Sequence, residues 1–225
     1  MGQVMMTVPT PSIPLYAVLG GVVDGAVAMA YVESLDGIHR LFSRLRVNDV
    51  VRTAIGGVLI GLIGLIMPQV LGAGEGWMDL AVYVRLSSFS SPIMPLIILL
   101  ALLPLVKILS TSVTLGSGEV GGVFTPGLVV GAFTGGLDMG LLLHYLYPPT
   151  LVPSAVPFVV VSSLAMFGAA SNAPPLAVMV MMLEMTNNYR VLPEAVIAST
   201  IAYLMTTWKY TVFKPKAGRT RTGRG

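Results

Sequence analysis

The sequence predicts an all-α polytopic membrane protein built from broken and re-entrant helices. Three observations carry this reading. Of 225 residues, 55% are hydrophobic and only 10% charged, where ordinary soluble domains carry about a quarter charged side chains. Apolar stretches of about 20 residues, enough to cross a hydrocarbon core of roughly 30 Å, recur along the chain, which excludes a single anchor on a soluble domain. Strand-length segments of alternating hydrophobicity are absent, which argues against a transmembrane barrel. There is no Cys, so disulfides and thiolate metal sites are excluded. The net charge of +3 comes largely from Lys214, Lys216, Arg219, Arg221 and Arg224. It speaks to membrane topology rather than to nucleic acid.

The elements follow in order. Residues 1–12 lack a basic region ahead of the first apolar run and lack a small-residue cleavage pattern, so they read as an N-terminal segment and not as a removable signal. Residues 13–208 form the membrane domain, and residues 209–225 a basic tail. The first helix should cover residues 13–35, entered through Pro11 and Pro14, with Asp24 and Glu33 as its acids. A basic connector follows at 39–49, with Arg40, Arg44 and Arg46. A second span, 50–70, carries Gly56, Gly57, Gly61 and Gly64, a small-residue stripe that admits a neighbouring backbone, and it ends at Pro68. Residues 71–91 are too polar and Gly-rich to span; with Trp77 and Tyr83 they fit an interfacial or re-entrant piece. A third span covers 92–115, with Lys107 snorkelling to the cytoplasmic surface. A fourth helix should run from 124 to 147. Two shorter pieces, 156–170 and 175–186, meet at Ser171-Asn172-Ala173-Pro174. The last span covers 190–207. Positive residues gather after the first helix and after the last, which places both regions in the cytoplasm.

The segment from Gly116 to Pro126 interrupts two apolar helices with closely spaced glycines. Lipid cannot satisfy the freed backbone groups, so such a break must line a cavity or be buried in protein. The amino end of the helix that follows offers unpartnered N–H groups and the positive end of the helix dipole. Together these make an anion site that needs no cationic side chain. The N–H groups of Gly122, Val123 and Phe124 are the candidate donors, and Pro126 suits a first turn, where no N–H is required. A second break at Ser171–Pro175 resembles the paired broken helices of transporters. The plain alternative is a tight reversal with Gly-x-x-x-Gly packing. Ser117 and Thr125 are candidate pore hydroxyls, although such hydroxyls commonly bond their own backbone. Glu119 is an intramembrane carboxylate and so flags function, unless the loop opens to water. Glu184, beside Thr186, Asn187 and Asn188, reads as an interfacial cap. His144 has no second His at metal-ligand spacing, so no metal site is read. A serine peptidase using Ser117 and His144 is a further reading, carried only by a short motif.

The same residues resemble a known family. Gly116-Ser117-Gly118, then Gly121-Gly122-Val123-Phe124-Thr125-Pro126-Gly127-Leu128 and Gly131-Ala132, are similar to the GSGxxGGxFxPxLxxGA signature of CLC chloride channels and chloride/proton antiporters. Pro68-Gln69-Val70-Leu71-Gly72-Ala73-Gly74, Ala173-Pro174-Pro175-Leu176 and Leu183-Glu184-Met185-Thr186-Asn187-Asn188-Tyr189 extend the resemblance across nearly the whole chain. It implies half of the CLC inverted-repeat fold, namely the second repeat, helices J to R in the family's lettering. The GSGxP and GxEGP loops of the first repeat do not occur in this sequence. The resemblance further implies voltage-gated or proton-coupled chloride transport, chloride as ligand without a cofactor, an N-terminal repeat as partner and a homodimer of the assembled protomer. Contacts of that dimer would come from 173–186 and 190–207. Val123 and Phe124 match the positions whose amides bind the central chloride. The family's tyrosine ligand falls on Phe213, which has no hydroxyl, with Tyr210 as the alternative. Glu119 stands where the family usually has a small residue. A truncated remnant that does not transport is the alternative function.

Overall fold

The computed structural model describes residues 13–74, 77, 94–138, 156–187 and 189–207, and every regular element among them is helical. Helix α1 covers Ile13–Ser43 and α2 Asp49–Ile66, with a short 3-10 turn at Pro68–Val70. Helix α3 covers Met94–Ser117, and α4 covers Phe124–Gly131 and continues as a π-helical segment over Ala132–Asp138. Helix α5 covers Val156–Ser171 and α6 Pro175–Thr186. A 3-10 turn at Tyr189–Val191 leads into α7, Leu192–Thr206. The expected bounds of α5 and α6 agree with these to within a residue. Most of 71–91, with Tyr83, and the far part of the expected fourth helix lie outside the described residues.

Two expectations are corrected. Helix α1 has 31 residues and runs through the start of the basic connector. Its apolar stripe does not stop at Leu35: Tyr31, Leu35, Ile38 and Phe42 continue at helical spacing, and Phe42 is buried. The single Gly37 costs about 1 kcal/mol of helix propensity, less than that stripe returns. Arg40 closes the last turn, donating from Nε to the Asp36 carbonyl at 3.2 Å, where a cation suits the helix dipole. At about 1.5 Å per residue α1 is longer than a bilayer core is thick, so its charged end reaches beyond the hydrocarbon. The second correction concerns Lys107, which does not snorkel: it is 1% exposed, inside the protein.

Contacts between helices fix their directions. Gly21 of α1 lies on Ala198 of α7, and Gly25 on Ala202 and Met205, so α1 and α7 run parallel. Ser112 of α3 meets Ser34 at 3.1 Å, and Gly116 lies on Ile38 and His39, so α3 points the same way. Helix α4 runs back: Tyr31 meets Val123 at its start, and Gly135 faces Asp24 in the π segment. Helix α5 reverses again, since Gly127 lies on Phe167 and Gly131 on Ser162 and Ser163. The connector after α1 and the chain after α7 therefore leave from the same side. One core packs Ala28, Tyr31 and Val32 of α1 against Val130, Met166 and Ala202. A second packs Leu128, Leu164, Val178, Met182 and Ala195.

The α2 glycine stripe divides. A Cβ on Gly56 would overlap the Ser117 side chain, whereas one on Gly61 meets nothing. The stripe thus brings the end of α3 onto α2 at one point and leaves most of α2 exposed, including Val50, Val58, Leu62, Leu65 and Ile66. We expect Gly56→Ala to lower stability in detergent by about 1–3 kcal/mol, as overpacking does, while Gly61→Ala costs none. Equal effects of the two in chemical denaturation would contradict this packing.

Candidate functional site

The interrupted segment is held from both ends. At the end of α3, the Ser117 carbonyl accepts from Arg52 Nε and Thr53 Oγ1, each at 3.2 Å. Arg52 is itself oriented by Asp49, with Nη2 at 3.0 Å from Oδ1. Gly118 turns the chain with φ 97°, a conformation that favours glycine. The N–H groups of Gly118 and Glu119 return to the carbonyls of Leu115 and Thr114 at 3.3 and 3.2 Å. At the start of α4, the Val123 carbonyl accepts the Tyr31 hydroxyl at 3.2 Å and the Gly127 N–H at 3.1 Å. The Phe124 ring stands edge-on to Phe167, centroids 4.9 Å apart at 86°, which pins the first turn of α4 to α5.

Between these anchors lie unused donors. Among the described residues, the N–H groups of Gly121, Gly122, Val123, Phe124 and Thr125 reach no backbone acceptor, and no side chain caps α4. Unpartnered N–H groups at a helix start carry partial positive charge, and an anion is their natural complement.

A cavity of about 410 Å³ adjoins this end of α4. One wall is a polar stripe of α3 at helical spacing, Lys107, Ser110, Thr111 and Thr114, with Leu115 beside it; the far wall is Glu119, Gly121, Gly122, Thr125 and Pro126. Its other end is lined by Val70, Leu71, Gly72 and Ala73. Gly122, Thr125, Pro126 and Glu119 thus share one cavity, with the Glu119 carboxylate toward Gly57, whose Cβ position is 3.6 Å from Oε1. Val123 and Phe124 sit at its edge in the chain, Phe124 being 42% exposed. Ser117 does not join it: the residue is buried, and its hydroxyl donates to the Thr114 carbonyl at 2.9 Å. That bond also occupies the group a peptidase mechanism would need. Phe213, Tyr210 and His144 lie outside the described residues. The second break is shaped by Asn172, with φ 57°, and among the described residues it contributes nothing to the cavity. Glu184 is exposed and makes no cap; Asn187, at φ 49°, closes α6 by donating its N–H to the Leu183 carbonyl at 2.8 Å.

Three supporting residues carried no signal in the sequence. Tyr31 reads as core on an apolar helix, and its hydroxyl target is 92 positions away. Arg52 and Thr53 read as the polar entry to α2, yet they fix the turn after α3.

Comparison with known proteins agrees with the geometry. The family model described as voltage gated chloride channel matches residues 2–207. The chain belongs to the voltage-gated chloride channel, or CLC, family. It is 31% identical over 189 residues to the voltage-gated ClC-type chloride channel ClcB of Citrobacter koseri, covering 82% of this chain and 42% of that protein. It is 31% identical over 190 residues to ClcB of Salmonella typhimurium, with the same coverage of each chain. The crystal structure of a CLC-type fluoride/proton antiporter superposes with a TM-score of 0.71 over 92% of this chain and 47% of that one, at 21% identity, and so shares the fold. This CLC chain spans less than half the length of these relatives. Membership of the CLC family makes it an integral membrane protein, and α1 and α2 both contain stretches long and apolar enough to cross a bilayer.

The Tyr31 contact yields a prediction. Tyr31→Phe keeps the ring and loses the bond to Val123, so stability should fall by about 0.5–1.5 kcal/mol, with the largest amide shifts at Val123 and Phe124. Shifts confined to α1 would contradict the coupling.

Proposed function

We propose that this chain is the C-terminal half of a CLC-type anion transport protein and supplies one wall of its pore, with the amino end of α4 as an anion site. The observation that carries the proposal is the run of unpartnered N–H groups from Gly121 to Thr125 beside a cavity lined by hydroxyl and glycine positions. Gly122, Val123 and Phe124 are the donors. Thr125 and Pro126 form the wall, with Glu119 beside them at the same end of the cavity. Chloride is the proposed ligand, in line with the channel names of the relatives, and no cofactor is required. Phe213 or Tyr210 is the proposed contact from the tail.

The pore needs a second wall. The exposed apolar face of α2 and the open side of the cavity suit a first repeat carried on another chain or on a longer parent. The relatives' length supports this, since each is more than twice the matched stretch. A homodimer of the completed protomer would use the exposed apolar positions of α6 and α7, such as Leu176, Val180 and Leu204. The parallel course of α1 and α7 supports the placement of both basic regions, the connector and the tail, on the cytoplasmic side.

Reconstitution separates this reading from a remnant. Liposomes holding the chain together with a first repeat bearing GSGxP and GxEGP loops should release chloride, and liposomes with this chain alone should not. Phe124→Pro removes one donor and disfavours the helical backbone of Val123, so it should reduce the restored efflux by about tenfold or more. Failure of any first repeat to restore efflux would favour the remnant.

A further inference from the structure

The most unusual group in the molecule is a lysine inside it. Lys107 is 1% exposed, and its Nζ donates to the carbonyls of Val70 at 2.9 Å and Gly72 at 2.6 Å. The chain turns here: Gly72 and Gly74 adopt φ 67° and 89°, left-handed conformations that favour glycine, and the Val70 and Gly72 carbonyls meet at the one ammonium. A Cβ on Gly74 would lie 3.4 Å from Nζ and 3.2 Å from Val129 of α4. A buried charge is costly unless its donors are met, and an ammonium has three donors of which these carbonyls take two. Among the described residues no carboxylate forms an ion pair with it. Lys107 is also part of the cavity wall. One turn along, Thr111 lines the same cavity with its hydroxyl unbonded among the described residues, whereas Ser110 and Thr114 donate to the carbonyls of Lys107 and Ser110.

We propose that the Lys107 end of this cavity is a second anion station, in which the remaining ammonium proton and the Thr111 hydroxyl bind a small monovalent inorganic anion. The proposal rests on the anion-pore reading of the α4 end and adds a separate site to it. Lys107 and Thr114 are two turns apart on α3, about 10 Å, so the two stations sit at opposite ends of one cavity. The volume of about 410 Å³ accommodates an ion with part of its hydration, at about 30 Å³ per water. The carboxylate of Glu119 belongs to the α4 end. A fixed cation at the other end offsets its repulsion and gives an entering anion a place to rest before it reaches the backbone donors.

The chain has four lysines, Lys107, Lys209, Lys214 and Lys216, so a lysine-selective 15N label in lipid nanodiscs gives a simple ammonium spectrum. Lys107→Arg assigns the Lys107 signal. Sodium bromide is titrated against sodium gluconate at constant ionic strength, with the Phe124 amide followed in parallel. The expected result is a saturable shift of the Lys107 ammonium. In Lys107→Met the Phe124 shift should be retained, as expected of a separate first station. Movement of the Phe124 amide while Lys107 stays still would overturn the second station and leave the first intact. Stillness of both would overturn both. The wild-type titration needs no variant to fold.

Discussion

Everything in this fold answers to one constraint: the chain reverses from α3 to α4 through a non-helical stretch between Ser117 and Phe124, and the peptide groups freed there cannot be left to lipid. The carbonyl side of the break is met by protein. Arg52 and Thr53 reach from α2 to Ser117, and Tyr31 reaches from α1 to Val123. The amide side is left open, with the N–H groups from Gly121 to Thr125 unpaired among the described residues. That asymmetry gives the site its sign. Had the N–H groups been capped by a Ser or Asp side chain, the same loop would be a tight reversal and nothing more. The helix instead begins at Val123 with no side-chain cap.

The supports come from parts of the chain far apart in sequence, and glycine is what brings them close. Gly56 and Gly116 let α2 and α1 meet the end of α3 at backbone distance. Gly127 and Gly131 let α4 lie on α5 against Phe167 and Ser162. Small residues do here what hydrophobic burial does in water, since lipid offers no drive for apolar faces to associate. At the opposite end of the cavity the logic is inverted. There, in a turn with two left-handed glycines, the Val70 and Gly72 carbonyls meet the cation of Lys107. One cavity thus has unpaired N–H groups near one end and a carbonyl-held ammonium at the other.

Much of this was legible in the sequence because the signals are local. Apolar length and Pro or Gly punctuation locate α2, α5 and α6, and the glycine-rich stretch marks the break and the start of α4. The CLC signature assigns the family from the same residues. What was not legible depends on partners remote in the chain. Lys107 looks like a snorkelling residue because its acceptors, Val70 and Gly72, lie 37 and 35 positions earlier. The end of α1 was read from its charges, yet Phe42 keeps the helix packed to Ser43. The π-helical continuation of α4, where Gly135 lies against Ser162 and Asp24, has no compositional mark. Ser117 stands in a motif that suggests a reactive or pore hydroxyl, and only the fold shows the hydroxyl turned back onto Thr114.

The chain is a CLC family member that spans less than half the length of its relatives, and the proposed reading gives it one wall of an anion pathway. Its own contribution is a fixed set of backbone donors, and that is the claim on which the rest stands. Bromide scatters anomalously, so crystals of the chain grown in lipid and soaked in bromide test it most directly. The account predicts an anomalous peak at hydrogen-bond distance from the amide nitrogens of Val123 and Phe124. Ordered α4 density with a bromide peak elsewhere, and none at these amides, would contradict it.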